Sequence, residues 1–208
     1  MNWTKYALCF LLGIMLMALT SQEMAQAFFP QPPNTGSPFN ARAAGQGQMM
    51  SPICGCTSCR TSTVWGYRAR YQRHHYGHDI ACPTGTPIRA TSPGQVTQAS
   101  NSSTYGLWVE VASNNNVVLA SGGAYTPQQD IRTRYAHLSR IAVSLGEQVQ
   151  VGQVLGYCGN TGRSHGSHLH YEVLIGGEKV DPRQFFGSDL LDYCPQTPDR
   201  SDAPGVDV

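Results

Sequence analysis

The sequence predicts a mainly β domain built from antiparallel strands, and three observations lead there. Short runs alternate polar and apolar residues, the period of a half-buried strand. Gly, Pro and Asn punctuate those runs at short intervals, as turns require. No stretch keeps a helical period beyond two turns, apart from a short candidate at residues 181–186. The expected strands fall near residues 88–90, 94–99, 107–112, 117–120, 134–137, 149–151 and 169–175.

Residues 1–27 carry Lys5, an apolar run over 7–18 and the small-x-small pattern Ala25-Gln26-Ala27, which predicts a secretory signal cleaved after Ala27. The run is too short to span a bilayer comfortably, so no membrane anchor is expected once the signal is removed. Residues 28–60 are rich in Pro, Gly, Gln, Ser and Asn and predict a linker ending in a cysteine cluster. Residues 61–187 form the expected domain, and residues 188–208, with several Pro and Asp, an expected tail.

Of the seven cysteines, Cys9 lies in the predicted signal, which leaves Cys54, Cys56, Cys59, Cys82, Cys158 and Cys194. An even number in an exported chain predicts disulfides and an oxidising compartment, the periplasm or the cell exterior. The sequence does not choose among the pairings. Cys54-x-Cys56-x-x-Cys59 is the alternative metal motif, but it lacks a matched second knuckle. A formal charge of +1, with 13% charged residues, gives no electrostatic case for nucleic acid. No nucleotide loop, heptad pattern or internal repeat is present. The sequence does not speak to oligomeric state.

All seven histidines fall in three short stretches: His74, His75 and His78; His137; and His165, His168 and His170. Scattered surface histidines would not cluster so. In the last stretch alternation places His168, His170 and Glu172 on one face and Leu169, Tyr171 and Val173 on the other. In the first, His75 and Asp79 would stand about 13 Å apart in an extended chain, too far to share an ion. Gly77 between them offers the bend that brings them together. In the middle stretch, alternation groups Arg134 with Ala136, and Tyr135 with His137. Three imidazole-bearing segments are the pattern of a metal or catalytic centre gathered from three strands, and Asp79 adds an oxygen ligand of the kind zinc accepts.

These motifs resemble the lysostaphin-like (LytM-type) zinc metalloendopeptidases, which cut peptidoglycan peptides. The resemblance runs through His75-x-x-x-Asp79, Cys82-Pro-Thr-Gly-Thr-Pro-Ile-Arg-Ala90, Tyr135-Ala-His137-Leu-Ser139, Asn160-Thr-Gly162 and His168-Leu-His170-Tyr-Glu172, ending at Val180-Asp-Pro182. It implies an antiparallel barrel-sandwich hybrid fold of the duplicated hybrid motif type. It also implies zinc held by His75, Asp79 and His170, with His137 and His168 as catalytic histidines. Glu172 is expected behind the ligands. His74, His78 and His165 are expected on the rim. Residues 113–133, longer than the usual hairpin, are expected to form one wall of the groove. The implied function is an exported zinc endopeptidase acting on peptide cross-links of peptidoglycan, in the periplasm or at the cell envelope. Two alternatives are a non-catalytic wall-binding activator of another hydrolase and a zinc carboxypeptidase that trims stem peptides.

Overall fold

The computed structural model describes residues 49–113, 117–186, 190, 191 and 194. The predicted signal, most of the expected linker and most of the expected tail lie outside these residues.

Among the described residues, fifteen short strands follow one another with little helix between them. They are β1 (Arg60–Thr63), β2 (Gly66–Arg68), β3 (Arg73–His75), β4 (His78–Ala81), β5 (Pro87–Arg89), β6 (Gly94–Ser102), β7 (Gly106–Ser113) and β8 (Val117–Val118). Then come β9 (Ala124–Tyr125), β10 (Ile131–Leu138), β11 (Arg140–Ile141), β12 (Gln148–Val149), β13 (Val154–Tyr157), β14 (His168–Ile175) and β15 (Glu178–Val180). A single turn of helix, α1 (Arg183–Phe186), falls within the expected 181–186.

The main antiparallel sheet runs β1-β4-β14-β10-β7-β6-β12, with β15 also paired to β14. A smaller sheet, β11-β13-β5, shares its core. The two inner faces meet through apolar residues that alternate with polar ones along each strand, the pattern that makes a sandwich stable. Ile80, Val109, Val111, Tyr135, Leu169 and Tyr171 come from the main sheet, and Ile88 and Leu155 from the small one. The two tyrosine rings lie 5.4 Å apart, and both hydroxyls reach Thr91 Oγ1, at 2.9 and 3.1 Å. Fully buried phenols need such partners, because an unpaired hydroxyl in the core would cost about 1–3 kcal/mol.

The body begins earlier than composition suggested. Met49, Met50 and Ile53 are buried, and the Tyr171 hydroxyl donates to Met49 Sδ at 3.6 Å. These apolar side chains, hidden among Pro, Gly and Gln in the sequence, pack residues 49–54 into the body rather than leaving them as free linker. Leu190, in the expected tail, is buried in the same core. The six cysteines among the described residues all pair: Cys54 with Cys194, Cys56 with Cys59, and Cys82 with Cys158. The first joins the start of the body to residue 194. The last joins the end of β4 to the end of β13.

Residues 117–133 form the small β8–β9 hairpin and a 3-10 turn, and Tyr125 packs against Phe185. None of the described residues in this insertion lines the site described below, so the expectation that it walls the groove is corrected. Its apolar residues send it to the α1 side of the core instead.

Candidate active site

Cross-strand register assembles the site. Asp79 on β4 and Ala136 on β10 stand directly opposite His170, one on each side of β14. Alternation along β14 then turns His168, His170 and Glu172 to one face and Leu169, Tyr171 and Val173 to the core, as the sequence predicts. His75, at the end of β3, closes the group. His75 Nε2, Asp79 Oδ1 and His170 Nδ1 lie within 3.2, 3.2 and 2.7 Å of one another.

Gly77 serves this convergence differently from the expectation. It is needed for space, because a Cβ there would lie 2.5 Å from His170 Cε1 and 2.8 Å from the Tyr171 carbonyl oxygen. The glycine lets the chain between the two ligand-bearing strands press against the His170 ring.

His137 departs from strict alternation, which would have turned it to the core beside Tyr135. Two residues of β10, Ala136 and His137, face one of β7, Trp108, between the pairs Tyr135↔Val109 and Leu138↔Leu107, and His137 takes φ +63°. Such a bulge re-aims one side chain, and the left-handed conformation costs a non-glycine residue about 1–3 kcal/mol. The strain brings the imidazole to the His168 side of the groove, with ring centroids 4.7 Å apart.

Hydrogen bonds at the back of each ring fix what the front presents. His75 Nδ1 lies 2.9 Å from the Val64 carbonyl, His137 Nδ1 2.8 Å from the Thr161 carbonyl, and His168 Nδ1 2.7 Å from the Gly166 carbonyl. A carbonyl only accepts, so in each ring Nδ1 carries the hydrogen and Nε2 keeps its lone pair. In His170 the arrangement is reversed, with Nε2–H donating to Glu172 Oε1 at 3.0 Å and Nδ1 facing the cluster. The approach of Thr161 to His137 depends on two glycines in close contact. A Cβ on Gly106 would lie 2.3 Å from Thr161 Oγ1, and one on Gly162 2.2 Å from Gly106 N.

Glu172 is nearly fully buried, and Lys179 Nζ at 2.8 Å and the Tyr105 hydroxyl at 3.1 Å donate to it. Burial alone would raise its pKa, but His170 and Lys179 hold it at about 2. Burial would likewise raise the Asp79 carboxyl, and the hydrogen bonds from His170 and His75 outweigh it, holding Asp79 well below the usual carboxylate range. Arg68 Nη2 donates to its other oxygen at 2.9 Å. Burial opposes charge on His170, yet Asp79 and Glu172 push it up to about 9. His137 is pulled down to about 4, chiefly by burial, and is neutral at pH 7.

This donor set fits a zinc ion. Bonds of about 2.0–2.1 Å to a tetrahedral ion place neighbouring donor atoms about 3.3 Å apart, close to the separations here. The 2.7 Å contact between His170 and Asp79 is the hydrogen bond made while His170 carries a proton. The second ring nitrogens of His75 and His170 donate to a carbonyl and a carboxylate, as ligating histidines commonly do.

The cluster opens into a groove of about 690 Å³. Its walls come from the β1–β3 segment (Ser62, Arg68, Tyr71, Arg73), the tip of the β6–β7 hairpin (Thr104, Tyr105) and residues 163–167. His165 stands on the rim as expected. His78 is 1% exposed and faces Thr61, which corrects its expected place on the rim. His74 packs edge-on against Trp65 rather than lining the groove. Arg68, Tyr105 and Lys179 were not anticipated. No spacing rule points to them, since β2, a hairpin tip and β15 bring them in from separate parts of the chain.

Residues 73–182 match the family described as Peptidase family M23. Among curated relatives, the DD-carboxypeptidase/endopeptidase Mpg of Neisseria meningitidis is 39% identical over 127 residues, covering 59% of this chain and 26% of Mpg. The peptidoglycan DD-endopeptidase ShyA of Vibrio cholerae is 40% identical over 107 residues, covering 51% of this chain and 22% of ShyA. The chain thus spans about a quarter of the length of these relatives. Among solved structures, the catalytic domain of the prophage-encoded M23 protein EnpA from Enterococcus faecalis, in a mutant form, matches with TM-score 0.54 and 32% identity, over 66% of this chain and 98% of that one. A zinc-containing peptidase from Vibrio cholerae matches with TM-score 0.53 and 26% identity, over 65% of this chain and 39% of that one. With the family match spanning more than half its length, the chain belongs to peptidase family M23.

Proposed function

We propose that this protein is an exported zinc-dependent endopeptidase that hydrolyses peptide cross-links of peptidoglycan. The observation that carries the reading is a set of four imidazoles that each turn one ring nitrogen to a common centre: His75 from β3, His168 and His170 from β14, and His137 from β10, aimed by a strained bulge. His75, Asp79 and His170 are the residues that hold the metal. When bound, zinc supplies Lewis-acid activation of a water molecule and of the scissile carbonyl.

The remaining steps belong to the chain. Glu172 and the Val64 carbonyl orient the two ligand rings and fix which nitrogen each presents. His168 Nε2, 3.8 Å from Asp79 Oδ1, lies within reach of a water or a leaving amine at the centre. His137, neutral at pH 7 with Nε2 as acceptor, stands beside it. One of the pair accepts the proton of the attacking water, and the other, once protonated, stabilises the developing oxyanion or returns a proton to the amine. A protein that only bound the wall would have no use for two such groups. The endopeptidase named among the relatives, ShyA, favours an internal bond as the first reading. Mpg's name joins carboxypeptidase to endopeptidase, so release of a terminal residue is the second reading. Export is part of the proposal, supported by the signal pattern and the three disulfides.

The test is digestion of purified cross-linked muropeptides, with products identified by mass. The expected result is conversion of dimers to monomers with new amines, abolished by chelator and restored by zinc. Release of single amino acids with dimers intact would shift the reading to carboxypeptidase. Untouched substrate together with stimulation of a separate wall hydrolase would replace it with the activator reading.

A further inference from the structure

Three arginines and a single carboxylate line the groove. The carboxylate, Asp79, is engaged by Arg68 and the two ligand histidines. Arg73 lies over the Tyr71 ring at 5.6 Å, and its outer face is exposed at the groove mouth. Arg163 differs from both. Its backbone N–H is fixed to the Thr104 carbonyl at 2.9 Å, and the turn it opens supplies the Ser164 and Gly166 oxygens that hold His168. Its side chain is exposed, and no carboxylate, carbonyl or ring among the described residues is matched to its guanidinium. By contrast Arg89, Arg132, Arg134, Arg140 and Arg183 all have such partners.

A guanidinium with a fixed backbone and unused donors is a bidentate receptor for a planar anion. The positive surplus is local, since the whole chain carries a formal charge of only +1. Low-dielectric groove walls strengthen its pull on an approaching anion. We propose that Arg163, helped by Arg73, forms a carboxylate-binding subsite, so that the preferred substrate is a peptide bearing a free carboxylate beside the scissile amide. This subsite rests on the peptidase reading for its substrate class. Arg163 lies in the turn that holds His168, which places the bound carboxylate on the side of the groove where the proton-transfer histidines stand.

Two peptides that differ only in carrying a carboxylate or a carboxamide next to the cleaved bond provide the test, with the zinc-loaded full chain. The acid is expected to exceed the amide in kcat/KM by about 10- to 100-fold, with the difference mainly in KM. In the Arg73→Gln/Arg163→Gln double variant the ratio falls towards 1. Arg163→Lys gives an intermediate ratio, because it keeps the charge and loses the fork. Calorimetric binding of the same pair to zinc-loaded His168→Ala protein reads the preference without turnover. Cleavage of both peptides at equal rates, or an acid preference that survives in the double variant, overturns the subsite and leaves the peptidase reading standing. Preferential binding of the acid, lost in the double variant, by a wild-type protein that cleaves neither peptide upholds the subsite and removes the peptidase reading.

Discussion

Two buried carboxylates on the main sheet gather cations around them, and they do so with different chemistry. Glu110 on β7 accepts from Arg134 Nε at 2.6 Å, Arg132 Nη1 at 3.1 Å and Thr97 Oγ1 at 2.8 Å. Asp79 on β4 is met by Arg68 and by the rings of His75 and His170. The clusters touch through Glu172, which lies 3.0 Å from His170 Nε2 and 3.5 Å from Arg134 Nη1. Guanidinium is permanently charged and has no lone pair to offer, so the Glu110 cluster is complete without any ion. Imidazole can give up its proton and offer a lone pair, so the Asp79 cluster holds either a proton or a metal. Similar burial and similar charge thus yield a strut in one place and, in the other, a cluster able to exchange a proton for a metal.

The largest expected effect separates the clusters outright. Asp79→Ala and His170→Ala should lose bound zinc and with it all measurable turnover, whereas His168→Ala should keep the metal and lose about 10²–10⁴-fold in kcat. Metal analysis alongside turnover checks this, and full zinc content in His170→Ala would end the assignment. Glu110→Gln is the matching change at the other cluster. It should retain zinc and destabilise the fold by about 3 kcal/mol, the lower end for breaking a buried pair, because both arginines keep some contact with solvent.

The same variant carries a pH signature. Burial would raise the Glu110 carboxyl, but Arg134, Thr97 and Arg132 hold it below the ordinary glutamate value of 4.5. Its contribution is therefore complete above the unfolded carboxyl pKa and is lost as pH falls through the lower folded value. Denaturant unfolding of the wild type should show a steeper loss below about pH 4.5 than Glu110→Gln does. The smallest effect belongs to the Asp79 cluster. With metal-free His170 pushed up to about 9, zinc must displace a proton at neutral pH. Its apparent affinity should then rise about tenfold per pH unit between 6 and 8, where one proton is released per ion. Titration in non-coordinating buffers reads that slope, and a flat line would disconnect His170 from the metal.

Much of the site was legible because period-2 alternation is a local property. It alone puts His168, His170 and Glu172 on one face of β14. The three histidine stretches, and the resemblance built on them, point to the five residues that the fold brings together. What stayed hidden depends on non-local packing. Nothing in Tyr135-Ala-His137-Leu announces a bulge, since no glycine marks the left-handed position. The burial of His78 reflects the pairing of β4 with β1, and neither strand's own sequence specifies that neighbour. Met49, Met50 and Ile53 were masked by their polar surroundings, because composition averages over residues while burial selects them singly. Arg68 reaches Asp79 only because β2 and β3 fold back as a hairpin.

The pairing of His170 with Asp79 directly across the strand gap has a consequence for how the protein matures. A slip of one residue between β4 and β14 would set Asp79 opposite Leu169 or Tyr171 and turn the imidazoles to the wrong side of the sheet. A misaligned chain therefore has no place for the ion. On the proposed zinc assignment, metal uptake would act as a proofreading step for folding, and the zinc carried per chain would count the molecules whose strands have closed in the correct register.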